Sequence, residues 1–117
     1  KMKMQSWIVH NTSFLACGQI ALCAIPRAVE QQIGVTEDDM DSISGLARSI
    51  EGVKMAATLR EMEDGRVKVS VRAIPGYDAA AVCAKFGGGG HKGAAGATTS
   101  LPLEEAAEAV KEAMLGL

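Results

Sequence analysis

A two-layer α/β domain, with a mixed sheet, a central antiparallel hairpin and helices packed on one side, is the fold the sequence predicts. Three observations carry it. Two neighbouring segments, 53–60 and 66–73, alternate apolar and polar residues with strand period. The run Gln19 to Ile25 is apolar and compact, as in a buried strand. Other segments place apolar residues at i, i+3, i+4 and i+7, as amphipathic helices do. A chain of 117 residues, 48% hydrophobic and 22% charged, is long enough for one domain with a real core and is not disordered in composition.

The elements follow in order. In residues 1–17, Met4, Trp7 and Ile8 have helical spacing, against Val9, Thr12 and Ser13, which do not favour a helix. This stretch reads as a linker or a leading helix segment, ahead of a domain over 18–117. Gly18 opens the buried strand. Pro26 suits the first turn of a helix with Val29 and Ile33 on its buried face and Gly34 as its C-cap. Thr36 to Asp41 reads as an acidic turn. Asp41 or Ser42 then caps a helix with Ile43, Leu46, Ala47 and Ile50 as its stripe, stopped by Gly52.

The hairpin's register follows from matching apolar to apolar across the pair. A two-residue Asp64-Gly65 loop would set Leu59 opposite Ser70. A three-residue loop, Glu63-Asp64-Gly65, sets Leu59 opposite Val69, Ala57 opposite Val71, Thr58 opposite Ser70 and Ala56 opposite Arg72. The longer loop is therefore expected, with Gly65 left-handed. Pro75-Gly76 is a turn. Asp78 caps a helix with Ala79, Val82, Cys83 and Phe86 on one face, ended by Gly87. A glycine-rich run reaches Gly96, and Ala97 to Thr99 is a short strand. Ser100 and Pro102 open the last helix, whose buried stripe is Leu103, Ala106, Ala107, Val110, Ala113 and Met114.

Composition removes several functions. The four aromatics, Trp7, Tyr77, Phe14 and Phe86, are too few for a stacking platform along single-stranded nucleic acid. A net charge of −2 argues against bulk binding to a polyanion, though not against a local basic patch. Cys17, Cys23 and Cys83 contain no C-x-x-C pair and read as reduced, partly buried thiols of a cytoplasmic protein. No apolar run is long enough to span a bilayer, and no signal-peptide pattern stands at the start. With only His10 and His91, no multi-histidine metal centre is expected from this chain alone. The cluster Asp38, Asp39 and Asp41 reads as a solvated helix start. Beginning at Lys1 without an initiator Met, the chain reads as a trimmed or excised piece of something longer.

Two features point to chemistry. The polar face of the registered hairpin collects Lys54, Thr58, Arg60, Lys68, Ser70 and Arg72, with no carboxylate of its own. Guanidinium forks match phosphate oxygens. A solvated sheet face is the plainer use of the same residues. Glycines 87–90, followed by His91 and Lys92, are costly unless backbone must approach something closely, and successive amides can make an anion nest. The run contains G-x-G-x-x-G at Gly88, Gly90 and Gly93, but after a helix instead of a strand. It also lacks the Lys-Ser/Thr ending of a P-loop.

At Phe86-Gly-Gly-Gly-Gly-His91-Lys-Gly-Ala-Ala-Gly96 the sequence resembles the C-terminal, DHH-associated domain (the GGGH-motif domain) of the Asp-His-His (DHH) phosphoesterases. The likeness is nearest to bacterial oligoribonucleases that are also phosphoadenosine phosphate phosphatases. Gly52 to Glu61 and Val67 to Arg72 follow in the family's order. The resemblance implies a substrate-binding domain in which Arg60, Ser70, Arg72, Gly88, Gly89, Gly90 and His91 line a cleft for a short RNA or DNA oligonucleotide or a nucleotide phosphate. It implies manganese, no ligand of which is assigned to this chain, in an N-terminal catalytic domain of the same parent protein. No Asp-His-His motif occurs here, so the chain is expected to be the binding half of a hydrolase and inactive alone. Two other readings stay open: a tRNA-binding or interdomain module related to alanyl-tRNA synthetase, and a ligand-free regulatory or dimerisation domain.

Overall fold

The computed structural model describes residues 1–43 and 45–116. Its strands are β1 (Ser13–Leu15), β2 (Ile20–Ile25), β3 (Met55–Glu61), β4 (Val67–Ala73), β5 (Gly89–His91) and β6 (Ala94–Thr99). Its helices are α1 (Met2–Asn11), α2 (Arg27–Ile33), α3 (Glu37–Ile43), α4 (Ala79–Ala84) and α5 (Leu103–Met114), with a 3-10 turn at Leu46–Ser49. The strands form one mixed sheet in the order β1-β2-β3-β4-β6-β5. β2 and β3 run parallel, which requires the long crossover through α2 and α3. The other neighbouring pairs run antiparallel.

Period-two alternation sorts the strand residues onto two faces. Ile20 and Leu22, Met55, Ala57 and Leu59, and Val67, Val69 and Val71 turn to one side and pack against α4 and α5. This is the main core, and it is the layer of helices the sequence predicts. Burying a Val or Leu side chain stabilises by roughly 1.5–3 kcal/mol, so this cluster dominates the fold. The alternate residues of β2, Cys23 and Ile25, pack against Met4 and Ile8 of α1 and Met40 and Ile43 of α3. Ala21, Ala56, Ala47 and Val53 make a smaller cluster beside them. The leading helices thus also cover the reverse face of β2 and β3. Met4 and Ile8 give α1 its buried face, and Thr12 Oγ1 closes its end by donating to Ile8 O at 2.6 Å.

The β3–β4 register is the expected one: Thr58 opposite Ser70, Leu59 opposite Val69, Ala56 opposite Arg72. Met62 N donates to Arg66 O at 2.8 Å, which leaves Glu63-Asp64-Gly65 as the loop, and Gly65 has φ +87°. Pro26 and Gly34 bracket α2, and Asp78 Oδ1 accepts from Ala81 N at the start of α4.

Three stretches differ from expectation. The acidic stretch is helical: Thr36 Oγ1 accepts from Asp39 N at 3.1 Å, and Glu37, Asp38 and Asp39 occupy the first turn, where the helix dipole favours them. The helix expected to start after Asp41 or Ser42 and run through Ile50 is not formed: α3 ends at Ile43, and Leu46–Ser49 is a separate 3-10 turn preceded by Gly45. The glycine run is not a loop. It forms β5, the edge strand beside β6, and β6 starts at Ala94 rather than Ala97. Among the described residues no helix is long and apolar enough to cross a membrane.

Candidate phosphate-binding face

Cross-strand register places the candidate residues. His91, Ala94, Arg72 and Ala56 lie in one row across β5, β6, β4 and β3. Gly89, Gly96, Ser70 and Thr58 form the next row, and Thr98, Lys68 and Arg60 the third. Residues paired across strands share a face, so His91, Arg72, Ser70 and Lys68 project on the side opposite the main core. Neighbouring strands lie about 4.8 Å apart, which puts the His91 and Arg72 backbones roughly 10 Å apart. Between and beside them stand Ala94 and Gly96, whose small side chains leave a low floor. Arg72, Lys68 and His91 are exposed and Ser70 is half-buried. The Arg72 stem runs beside Gly45, where an alanine Cβ would lie 3.9 Å from Arg72 Cγ.

Arg60 departs from the expected picture. It shares this face by register, yet α2 and α3 cover it, and it is 4% exposed. Its Nε donates to Glu30 Oε2 at 3.1 Å and its Nη2 to Glu30 Oε1 at 2.7 Å. Nη1 and Nη2 also reach Glu37 Oε2 and Oε1 at 3.2 and 2.7 Å. The hairpin brings no carboxylate to the face, but the crossover helices do. Burial pulls the guanidinium's pKa down, and its hydrogen bonds to the Glu30 and Glu37 carboxylates more than offset it, leaving it above its ordinary value. The Arg60 hydrogen bond in turn holds the Glu37 carboxyl below the usual glutamate range, against a smaller desolvation effect, with Lys68 and Arg27 adding to the lowering. Arg60 therefore ties the crossover to β3, and its fork is occupied by carboxylates instead of being open to a phosphate. Arg72, Ser70 and Lys68, along β4, are members of the predicted polar face that stay exposed or half-buried.

The glycines also need a different account. A Cβ on Gly88 would overlap Gly96 O and Ala97 Cβ. One on Gly90 would lie 2.6 Å from Ala94 O, and Gly90 has φ +149°. Both glycines are demanded by the close approach of β6, so close approach to a ligand is not needed to explain them. Gly88 N donates to Cys83 O at 3.0 Å, closing the end of α4, and is not a free nest amide. At Gly89 a Cβ would meet nothing within 4 Å. Of the predicted set, Gly89 and His91 remain at the accessible edge, in the same rows as Ser70 and Arg72.

Other titratable groups stand apart. His10 lies on α1 with Nδ1 2.8 Å from Ser6 O. Among the described residues no three His, Cys, Asp or Glu side chains converge on a point that could hold a metal ion. The described residues therefore do not fit a manganese centre. Cys17 is exposed in the β1–β2 turn, where burial was expected, while Cys23 and Cys83 are buried. Burial pushes the Cys23 thiol up to about 11, against a smaller opposing hydrogen bond with Thr12, and raises Cys83 as well. A cavity of about 510 Å³ lies away from the cationic face, between α1, β2 and α5, lined by Trp7, Leu22 and Lys111 among others.

The fold and this face define an α/β domain built on a mixed six-stranded sheet with an outward cationic strand. The sequence model of the DHHA1 domain matches residues 19–115, and the chain belongs to that family. It is 47% identical over 79 residues to the bifunctional oligoribonuclease and PAP phosphatase NrnA of Thermus thermophilus, an alignment covering 67% of this chain and 24% of that protein. The chain thus spans about a quarter of that relative's length. An exopolyphosphatase-related protein from Bacteroides fragilis superposes with a TM-score of 0.89 at 22% identity, over 98% of this chain and 34% of that one. The pGpG-specific phosphodiesterase PggH from Vibrio cholerae superposes with a TM-score of 0.62 at 12% identity, over 98% and 37%. These last two likenesses concern the fold.

Proposed function

We propose that this DHHA1 domain binds the phosphate of a short oligoribonucleotide or a nucleoside bisphosphate and presents it to a manganese-dependent catalytic domain of the same parent protein, in the cytoplasm. The observation that carries the reading is the line of Arg72, Ser70 and Lys68 along β4 on an outward sheet face, with His91 two strands away across a floor of Ala94 and Gly96. Arg72 supplies a planar fork for two phosphate oxygens, Ser70 a neutral donor, and Lys68 long-range attraction. Identity with an oligoribonuclease and PAP phosphatase over two thirds of the chain supports the choice of substrate class. The metal chemistry belongs outside this chain.

Calorimetric titration with adenosine 3′,5′-bisphosphate tests the reading. A hydrogen bond to a charged group is worth roughly 1.5–3 kcal/mol, so Arg72→Ala should weaken binding about ten- to a hundredfold and flatten its salt dependence. Arg66→Ala removes an exposed cation at the hairpin tip, where Arg66 pairs with Asp64 at 3.4 Å, and should bind as the parent does. Equal binding by the parent and Arg72→Ala would sink the assignment.

A further inference from the structure

Past the end of β4 the chain turns sharply through Ile74-Pro75-Gly76-Tyr77. Tyr77 N donates to Ile74 O at 3.2 Å, and Gly76 has φ +99°. That is a type II turn with proline and glycine at their favoured positions. The turn is pinned on both sides: Ile74 N donates to Lys54 O at 2.9 Å, and Ala73 N to Gly93 O at 3.0 Å. Ala79 N donates to Lys92 O at 2.8 Å, which fixes the facing corner. Between turn and corner lies a groove of about 340 Å³, walled by Ile74, Pro75 and Tyr77 and by Lys92 and Gly93. Apart from the Lys92 ammonium, its side-chain walls are apolar or aromatic. The Tyr77 ring is half-buried against the main core, and its hydroxyl donates to Gln19 Oε1 at 3.4 Å.

The groove lies at the end of the sheet, next to His91. Its wall residues Lys92 and Gly93 follow His91, whereas Ala73 turns to the main-core face, away from the Arg72 side chain. A Cβ on Gly93 would lie 3.7 Å from His91 Nδ1, so the imidazole borders the rim. A preformed apolar slot holding one aromatic ring therefore opens beside His91 and Lys92, two groups suited to phosphate. A volume of this size falls in the range of small-ligand pockets, about 300–1,000 Å³.

We propose that this groove is a base subsite, taking the planar heterocycle of a nucleoside phosphate against Tyr77 and Pro75 while its phosphate lies toward His91. This rests on the phosphate reading above. A flat π-system stacks on an aromatic face whatever its sequence identity, which suits a site with few directional hydrogen-bonding groups. A sugar phosphate lacking a base reaches the cationic rows alone.

The test compares AMP with ribose 5-phosphate on the 117-residue chain by calorimetry. AMP should bind about tenfold tighter or better. Tyr77→Phe should keep that ratio, and Tyr77→Ala should bring it close to unity without weakening ribose 5-phosphate. Because Tyr77 also packs on the core, a measurement without substitution stands beside these. Adenosine, which has no phosphate, should shift the amide NMR signals of Ile74, Gly76 and Gly93 in the parent protein. The proposal is overturned if the parent shows no preference for AMP, if Tyr77→Ala retains it, or if adenosine leaves those signals unmoved. Failure of the phosphate reading alone looks different: the preference for AMP stays, and Arg72→Ala weakens neither ligand.

Discussion

Replacing Arg60 by methionine removes the cation at the junction of α2, α3 and β3 while keeping a side chain of similar length. Glu30 is 3% exposed and loses both hydrogen bonds of a fork-to-fork pair. Arg27 Nη1, 3.9 Å from Glu30 Oε1, lies beyond hydrogen-bonding range. Breaking a buried pair by removing one partner costs about 3–5 kcal/mol, because the remaining charge is left desolvated. Glu37 is 59% exposed at its side chain, and a pair of that kind is worth only about 0–1 kcal/mol. The expected order is therefore a large loss for Arg60→Met and a small one for Glu37→Gln. Arg60→Met combined with Glu30→Leu removes the buried charge altogether and should recover most of the loss. Urea unfolding followed by circular dichroism measures this as a change of midpoint at constant slope. Small domains are stable by about 5–15 kcal/mol, so the single substitution removes a sizeable share. Equal losses for Arg60→Met and Glu37→Gln, or a double variant less stable than Arg60→Met, would refute the reasoning.

Acid should erode the Glu37 contribution specifically. Its carboxyl titrates lower in the folded than in the unfolded chain, so the contribution is complete above the ordinary carboxylate range and is lost as pH falls through the folded value. Unfolding midpoints taken from neutral to acid pH should fall less steeply in Glu37→Gln than in the parent; parallel curves would count against the Arg60 contact. Gly88→Ala forces a Cβ into β6 and should cost roughly 1–3 kcal/mol, with faster hydrogen exchange in β5 and β6. Gly89→Ala meets open space and should leave exchange there unchanged. Alkylation of the folded protein should modify Cys17 alone, with Cys23 and Cys83 reacting only in denaturant, as mass spectrometry of the adducts will report.

What the sequence made legible was whatever carried its own period. Val69 and Val71 face Leu59 and Ala57, and matching apolar to apolar across a tight turn selects the hairpin with its three-residue loop. Asp78 and the α5 stripe are equally local signals. Arg60 was not legible, because its surroundings are set by Glu30 and Glu37 on a crossover whose path alternation does not specify. The glycine strand was hidden because a strand without side chains has no pattern to read. The missing Cβ atoms pointed correctly to a close approach, but the approaching backbone belongs to β6. At the acidic stretch, three carboxylates resemble a solvated turn until Thr36 is recognised as the cap.

The parallel pairing of β2 with β3 has a consequence for the order of folding. The β3–β4 hairpin closes over three residues, whereas β2 can join β3 only after everything from Pro26 to Lys54 has been gathered in. Local pairings recover their loop-closure entropy early, and distant ones late. The Arg60 clasp joins members of both kinds, since it binds a hairpin residue to carboxylates on the crossover. It should therefore form after the rate-limiting step and act as a brake on opening. Substitutions there should appear in the unfolding arm of a chevron plot, as shorter lifetimes of the folded domain at nearly unchanged folding speed.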